Sequence, residues 1–172
     1  MKVRSAIDFE PVAEAHLPML RRWLEEPHVR QWWGDPDTEA ELIRTGQESG
    51  EVDGYIVHVD GEPAAYIQSW HPSDHDDEPW QKDMPRDTVG IDIFIGRPEM
   101  TGRGIGPQII CAFARMLFQS GVPRLITDPD ADNDRAMKAY RMAGFRKFAE
   151  YRGERRVTVL MEITPRTFLR TQ

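Results

Sequence analysis

Three glycines within Thr101-Gly102-Arg103-Gly104-Ile105-Gly106 form the strongest chemical signal in the chain. Glycine takes positive φ readily and lets a ligand approach the backbone closely. A helix starting at such a turn offers unpaired N–H groups and the positive end of its dipole to an anion. Pro107 suits the first helical turn, where no N–H is needed. This arrangement suits a pyrophosphate. It lacks the Lys-Ser/Thr ending of a nucleotide P-loop, and a glycine turn can also serve plain connectivity. A second element lies downstream, where Asn133, Ala136, Tyr140, Gly144 and Phe145 spell N-x-x-A-x-x-x-Y-x-x-x-G-F. On a helix, positions 133, 136, 140 and 143 share a face. Gly144 ends that helix and Phe145 enters the next strand. Alone, Tyr140 reads as a core tyrosine; within the full spacing it acquires a functional reading.

Acidic residues are the second resource. Asp74, Asp76, Asp77, Glu78, Asp83 and Asp87 crowd one segment, against only Lys82 and Arg86. Asp128, Asp130, Asp132 and Asp134 crowd another, and Asp35, Asp37, Glu39 and Glu41 a third. Carboxylates gathered around one cleft attract a multiply charged amine. Their self-repulsion would be relieved by a bound cation. The plainer reading is a set of helix caps and solvated turns, and Asp37 and Asp132 are accounted for as caps. His71 and His75 have the i, i+4 spacing of a helical metal pair, but Pro72 argues against a helix there, so no metal site is expected. Cys111, within Ile109-Ile110-Cys111-Ala112-Phe113, reads as a buried structural thiol.

The elements that must position these residues follow from periodicity and turn signals. Val3 to Val12 reads as a first strand. Leu17, Leu20, Trp23 and Leu24 recur at helical spacing, predicting an amphipathic helix over 15–26. Pro27 stops it or restarts a short turn through Val29 to Trp33. Asp37 caps a helix over about 38–48, with Gly50 beyond its end. Tyr55 to Asp60 and Pro63 to Trp70 form a hairpin about Asp60-Gly61. Residues 71–88, with three prolines and six acids, read as a loop. Val89 to Ile95 is a strand, followed by the glycine turn and a helix over 107–119. Leu125 to Thr127 is a short strand, Asp132 to Ala143 a helix, and Phe145 to Tyr151 and Arg156 to Ile163 are closing strands. The order is mixed α/β.

With 172 residues, 40% of them apolar, the chain suits one domain spanning 1–172. No apolar run approaches the ~18 residues that span a bilayer. The charged first residues lack the apolar stretch of a signal peptide. A single cysteine excludes an internal disulfide. Both features favour a reducing, cytoplasmic setting. A net charge of -7 makes the chain a poor generic binder of nucleic acid or anionic membrane. Nothing in the sequence chooses between monomer and homodimer.

Together the glycine turn and the Asn/Tyr helix resemble the GNAT acetyltransferase superfamily, by motif over roughly residues 88–150 and by element order elsewhere. The resemblance implies a mixed α+β fold with a central, mostly antiparallel sheet, splayed at the cofactor site and flanked by helices. It implies acetyl-coenzyme A as acetyl donor and no metal. Residues Thr101, Gly102, Arg103, Gly104, Ile105 and Gly106 would hold the pyrophosphate, with Thr101 standing where the family turn usually begins with Gln or Arg. The backbone of Ile93, Phe94 and Ile95 would pair with the pantetheine arm. Asn133 would lie near that arm and Tyr140 near the sulfur.

Further residues resemble the aminoglycoside 6'-N-acetyltransferases: Trp32-Trp33-Gly34, Tyr66-Ile67-Gln68-Ser69, the acidic loop ending near Trp80, Gly90-Ile91-Asp92 and Thr127-Asp128-Pro129. By that resemblance Asp92 and Asp128 hold the amine and ring hydroxyls. Gln68, Asp77 and Trp80 line the sugar site, and Trp32 and Trp33 pack against the sugar or into the core. The expected activity is acetyl transfer to a polycationic small molecule, with Asp92 receiving the amine proton and Tyr140 protonating the departing thiolate. A polyamine, a siderophore amine or a protein N-terminus would fit the same fold, as would a non-catalytic acyl-CoA sensor.

Overall fold

The computed structural model describes residues 4–172. In chain order the elements are β1 (Ile7–Pro11), α1 (Leu17–Glu25), α2 (Pro27–Trp33), α3 (Pro36–Ser49), β2 (Val52–Val59), β3 (Glu62–Trp70), β4 (Thr88–Ile95), α4 (Ile105–Gln119), β5 (Arg124–Thr127), α5 (Asp134–Met142), β6 (Arg146–Arg152), β7 (Val157–Ile163) and α6 (Pro165–Leu169). The strands form a seven-stranded sheet in the order β1-β2-β3-β4-β5-β7-β6. β1 runs antiparallel to β2, and β7 runs antiparallel to both β5 and β6. β4 and β5 are parallel. The expected fold, a mostly antiparallel sheet with flanking helices, is the one observed.

The chain forms two compact units, divided within β4. One comprises the residues up to Ser69 with Asp92–Ile109. Its core follows from the α1 periodicity: Leu20 and Leu24 are fully buried, with Trp23 beside them. They pack with Val29 of α2, Ile43 of α3, Ile56 of β2, Tyr66 of β3 and Phe94 of β4. Burying one such aliphatic side chain contributes about 1.5–3 kcal/mol. Asp60 and Gly61 join β2 to β3 with φ of 52° and 85°, the paired positive values that a tight two-residue hairpin requires.

The other unit comprises Trp70–Ile91 and Ile110–Gln172. Here β4 pairs with β5 from Thr88↔Arg124 to Gly90↔Ile126, and β4 runs on to Ile95 beyond that ladder. The β6–β7 ladder has an irregularity between Lys147 and Ala149, and the intervening Phe148 is stacked under the Arg124 guanidinium at 4.7 Å.

Several boundaries differ from expectation, each for a local reason. The N-cap of α3 is Asp35, not Asp37, because Pro36 has no N–H to donate and takes the first helical position. The Asp35 carboxylate accepts from the Thr38 N–H at 2.9 Å, while Asp37 pairs with Arg21 at 2.6 Å. The cap of α5 is Asn133, accepting from Ala136 N–H at 3.2 Å. Asp132 instead donates its N–H to the Asp130 carboxylate at 2.9 Å. α4 starts at Ile105, inside the glycine turn, since a proline is tolerated anywhere in a first turn that makes no intrahelical N–H bonds. Pro27 restarts the chain as α2. The expected first strand begins only at Ile7, and its predicted start, Val3, lies outside the described residues. α6 was missed, although Thr164 and Thr167 bracket its start as a reciprocal cap.

Candidate active site

In the first unit, alternation along a strand puts Tyr66 and Gln68 on one face of β3, and Asp92 and Phe94 on one face of β4. The Tyr66 hydroxyl donates to Gln68 Oε1 at 2.7 Å. Gln68 Nε2 in turn donates to Asp92 Oδ2 at 3.0 Å. Around this chain lies an aromatic cluster: Phe94 is 5.3 Å from Tyr66 and 4.9 Å from Trp33, ring centre to ring centre. Trp33 therefore packs on the core, and Trp32 beside it is half-buried. Gly96 follows β4 because a Cβ there would collide with the Trp23 indole.

The third acidic segment sorts itself by partner. Asp35 caps α3, Asp37 pairs with Arg21, and Glu41 pairs with Arg44. Glu39 does none of these. Burial pushes its carboxyl above the usual range, and the charges of Asp92 and Asp35 add to the rise. Burial likewise raises the Tyr66 hydroxyl, again with contributions from Asp92 and Glu39. A shared electrostatic neighbourhood thus links Glu39, Asp92 and Tyr66.

The glycine turn belongs to the same unit. Gly102 and Gly104 take φ of 72° and 78°, values that L side chains avoid. Alternating left-handed residues curl a backbone so that successive N–H groups face one concavity, a shape suited to anions. Gly102 and Arg103 are exposed, Ile105 and Gly106 are buried, and among the described residues nothing lies within 4 Å of a Cβ added at Gly102. Thr101 anchors the turn by donating its hydroxyl to Pro98 O at 2.7 Å. Upstream, the His28 ring bonds through Nε2 to the Ile95 carbonyl at 2.7 Å. Thus the chain already engages one backbone oxygen of the Ile93–Ile95 stretch. No motif around His28 signals that bond; His28 lies in the first turn of α2, which restarts at Pro27.

In the second unit, Trp70 lies over Gly90, where an added Cβ would come within 2.6 Å of the indole. His75 and Trp80 meet Trp70 edge-on at 5.3 and 6.5 Å. The indole N–H groups of both Trp70 and Trp80 are buried without a hydrogen-bond partner among the described residues. Gln81, buried and overlooked in the sequence, holds the acidic loop by accepting from the Glu78 N–H at 3.0 Å. Asp77 is exposed, its carboxylate 3.8 Å from the His75 ring. Asp128 is half-buried where β5 ends. Tyr140 is buried on α5, edge-on to Phe145 at 5.4 Å. Cys111 is half-buried, less enclosed than expected, with its thiol 3.9 Å from the Ala143 carbonyl. His71 and His75 flank a 3-10 turn over Pro72–Asp74, and among the described residues no three His, Cys, Asp or Glu side chains gather as metal ligands do.

The element order, the glycine turn heading α4 and the strand that outruns its parallel neighbour define an acyltransferase of the acetyl-CoA-dependent N-acetyltransferase class. Residues 12–152 match the family model described as the acetyltransferase (GNAT) domain, and the chain belongs to that family. The aminoglycoside N(6')-acetyltransferase type 1 of Klebsiella pneumoniae is 28% identical over 169 residues, 94% of this chain and 84% of the relative. Among solved structures, AAC(6')-Ib in complex with paromomycin and acetyl-CoA superposes with a TM-score of 0.87 at 28% identity, covering 97% of this chain and 98% of that one. AAC(6')-Ib with coenzyme A and kanamycin gives 0.86 at 28% identity, covering 96% and 99%.

Proposed function

We propose that this chain transfers the acetyl group of acetyl-CoA to a primary amine of a polycationic small molecule, the 6'-amine of an aminoglycoside. The observation that carries this reading is the Asp92 carboxylate, held by Gln68 on the strand leading into the glycine turn. Likeness over nearly the whole chain to enzymes named for that reaction supports it.

The residues present fit the cofactor. Gly102 and Gly104 curl the backbone and Gly102 leaves it open, as a pyrophosphate requires, and the start of α4 adds its dipole. β4 continues past its ladder with β5, which leaves Ile93–Ile95, apart from the Ile95 carbonyl that His28 holds, as the stretch to pair with an extended pantetheine arm. When bound, acetyl-CoA supplies an acetyl group activated as a thioester. A backbone N–H of that stretch donates to the thioester oxygen. Asp92 receives the proton that the amine must lose to attack. The Tyr140 hydroxyl donates a proton to the departing sulfur. Asn133 supports the cofactor arm. Asp128 and Asp77 attract further ammonium groups, while Trp32, Gln68 and Trp80 face the sugars. The buried indole N–H groups of Trp70 and Trp80 suit ligand hydroxyls, because an unpaired buried donor favours any acceptor that reaches it. Among the described residues no helix is long and apolar enough to cross a membrane; with the single cysteine, this supports a cytoplasmic setting.

Thiol release from acetyl-CoA, measured against an aminoglycoside with a 6'-amine, a linear polyamine and a peptide with a free N-terminus, tests the reading. The aminoglycoside should give the highest kcat/KM. Preference for the polyamine or peptide would reassign the acceptor, and coenzyme A binding without turnover of any amine would indicate a sensor.

A further inference from the structure

We infer that Tyr66 is a positioning residue for the Asp92 carboxylate, acting through the Gln68 amide. The inference rests on the reading of Asp92 as the proton acceptor. A primary amide has one accepting and one donating end, whereas an ionised carboxylate only accepts. With Tyr66 donating to Gln68 Oε1 at 2.7 Å and Gln68 Nε2 donating to Asp92 Oδ2 at 3.0 Å, the three groups form a polarised chain that is complete when Asp92 is charged. Turning the Gln68 amide over would aim its oxygen at the carboxylate, an arrangement that becomes attractive only once Asp92 carries a proton. The turned amide could still donate to the Tyr66 oxygen, but the buried Tyr66 O–H would lose the amide oxygen it donates to. The hydroxyl therefore favours the form of Asp92 that a waiting base must have, and it orients the amide that holds that carboxylate in place.

The hydroxyl is fixed from every side. Tyr66 is fully buried, its ring is held by Phe94 and Trp33, and an added Cβ on Gly54 would come within 2.7 Å of its oxygen. Burial, reinforced by the charges of Asp92 and Glu39, keeps the phenol protonated, so it remains a donor. An ordinary buried tyrosine needs only some acceptor for its O–H. Here the acceptor is the side chain that touches Asp92.

The test is steady-state kinetics of acetyl transfer to an aminoglycoside 6'-amine by Tyr66→Phe, Gln68→Leu, the double variant and Asp92→Asn. Tyr66→Phe should lower kcat by roughly tenfold, the order expected for one lost buried hydrogen bond. It should leave the KM for acetyl-CoA unchanged and move the acidic limb of the kcat profile to higher pH. Gln68→Leu, which also removes the direct contact with Asp92 and the sugar-facing amide, should lose at least as much and move the acidic limb the same way. Adding Tyr66→Phe to it should cost nothing more. Should Tyr66→Phe fail to fold, Gln68→Leu still decides: full turnover and an unmoved acidic limb would overturn the inference. An unchanged kcat in Tyr66→Phe, or an equal loss in the Gln68→Leu background, would do the same while a deficient Asp92→Asn leaves the proposed function standing. Full turnover by Asp92→Asn would instead overturn the role of Asp92, and this inference with it.

Discussion

At the scale of single residues, two side chains separate chemistry from packing. Tyr140 is buried against Phe145, as a core residue would be, so its ring and its hydroxyl must be tested apart. Tyr140→Phe keeps the ring. We expect turnover to fall while acetyl-CoA affinity and thermal stability change little; kinetics and a melting curve on the same sample check both. Loss of stability by about 1 kcal/mol with turnover intact would make the hydroxyl structural. Glu39 poses the converse case, since the folded chain pushes its carboxyl up. The unfolded chain then releases that proton at lower pH than the folded one. Stability is consequently lost as pH rises from the usual carboxylate range through the raised value, and the penalty is absent below that range. Glu39→Gln should therefore melt higher than the parent at neutral pH, converge with it in acid, and bind a polycationic acceptor less well. A lower melting temperature at neutral pH would show that Glu39 makes an interaction whose loss outweighs the relief from burial and repulsion.

At the scale of elements, Asn133 shows how one side chain can hold two roles. Its Oδ1 caps α5 through the Ala136 N–H, and its proposed role lies at the cofactor arm. Asn133→Ala should cost about 1 kcal/mol, lowering Tm by about 2–4 °C in a chain of this size. Asn133→Ser restores a capping oxygen without the amide, so it should melt like the parent yet bind coenzyme A more weakly, by titration calorimetry. Parent-like affinity in the serine variant would leave Asn133 as a cap alone. The sequence displayed most of these elements, because periodicity, the Asp60-Gly61 turn and the glycine turn are local signals. It misplaced the α3 and α5 caps by one or two residues, since several acids crowded each start and only Pro36 and the Asp130 turn chose among them. The tertiary reasons for glycine at 90 and 96 were not legible. Trp70 and Trp23 fill those spaces, and no local pattern announces which indole will arrive. The sequence set Asp37 apart as a cap and left Glu39 as one acid of its segment; α3 sends Glu39 toward Asp92 and Asp37 to Arg21.

At the scale of the whole molecule, the net charge of -7 acquires a use in the proposed reaction. Exposed carboxylates such as Asp74, Asp76 and Asp77 attract a polycation over distances that ordinary salt screens within about 8–10 Å. Raising ionic strength should therefore weaken aminoglycoside affinity, read as a rising acceptor KM, whereas KM for acetyl-CoA should not rise in parallel. A salt-independent acceptor KM would assign that acidity to solubility alone. The central claim is that the acetyl group goes to one particular amine. The measurement that tests it most directly is acetyl-CoA consumption with two aminoglycosides identical except at the 6' position, one with an amine and one with a hydroxyl. The account predicts stoichiometric thiol release and a single acetylated product with the first, and no N-acetylated product with the second. Equal rates of N-acetylation on both, or acetylation of the first at some other nitrogen, would contradict it.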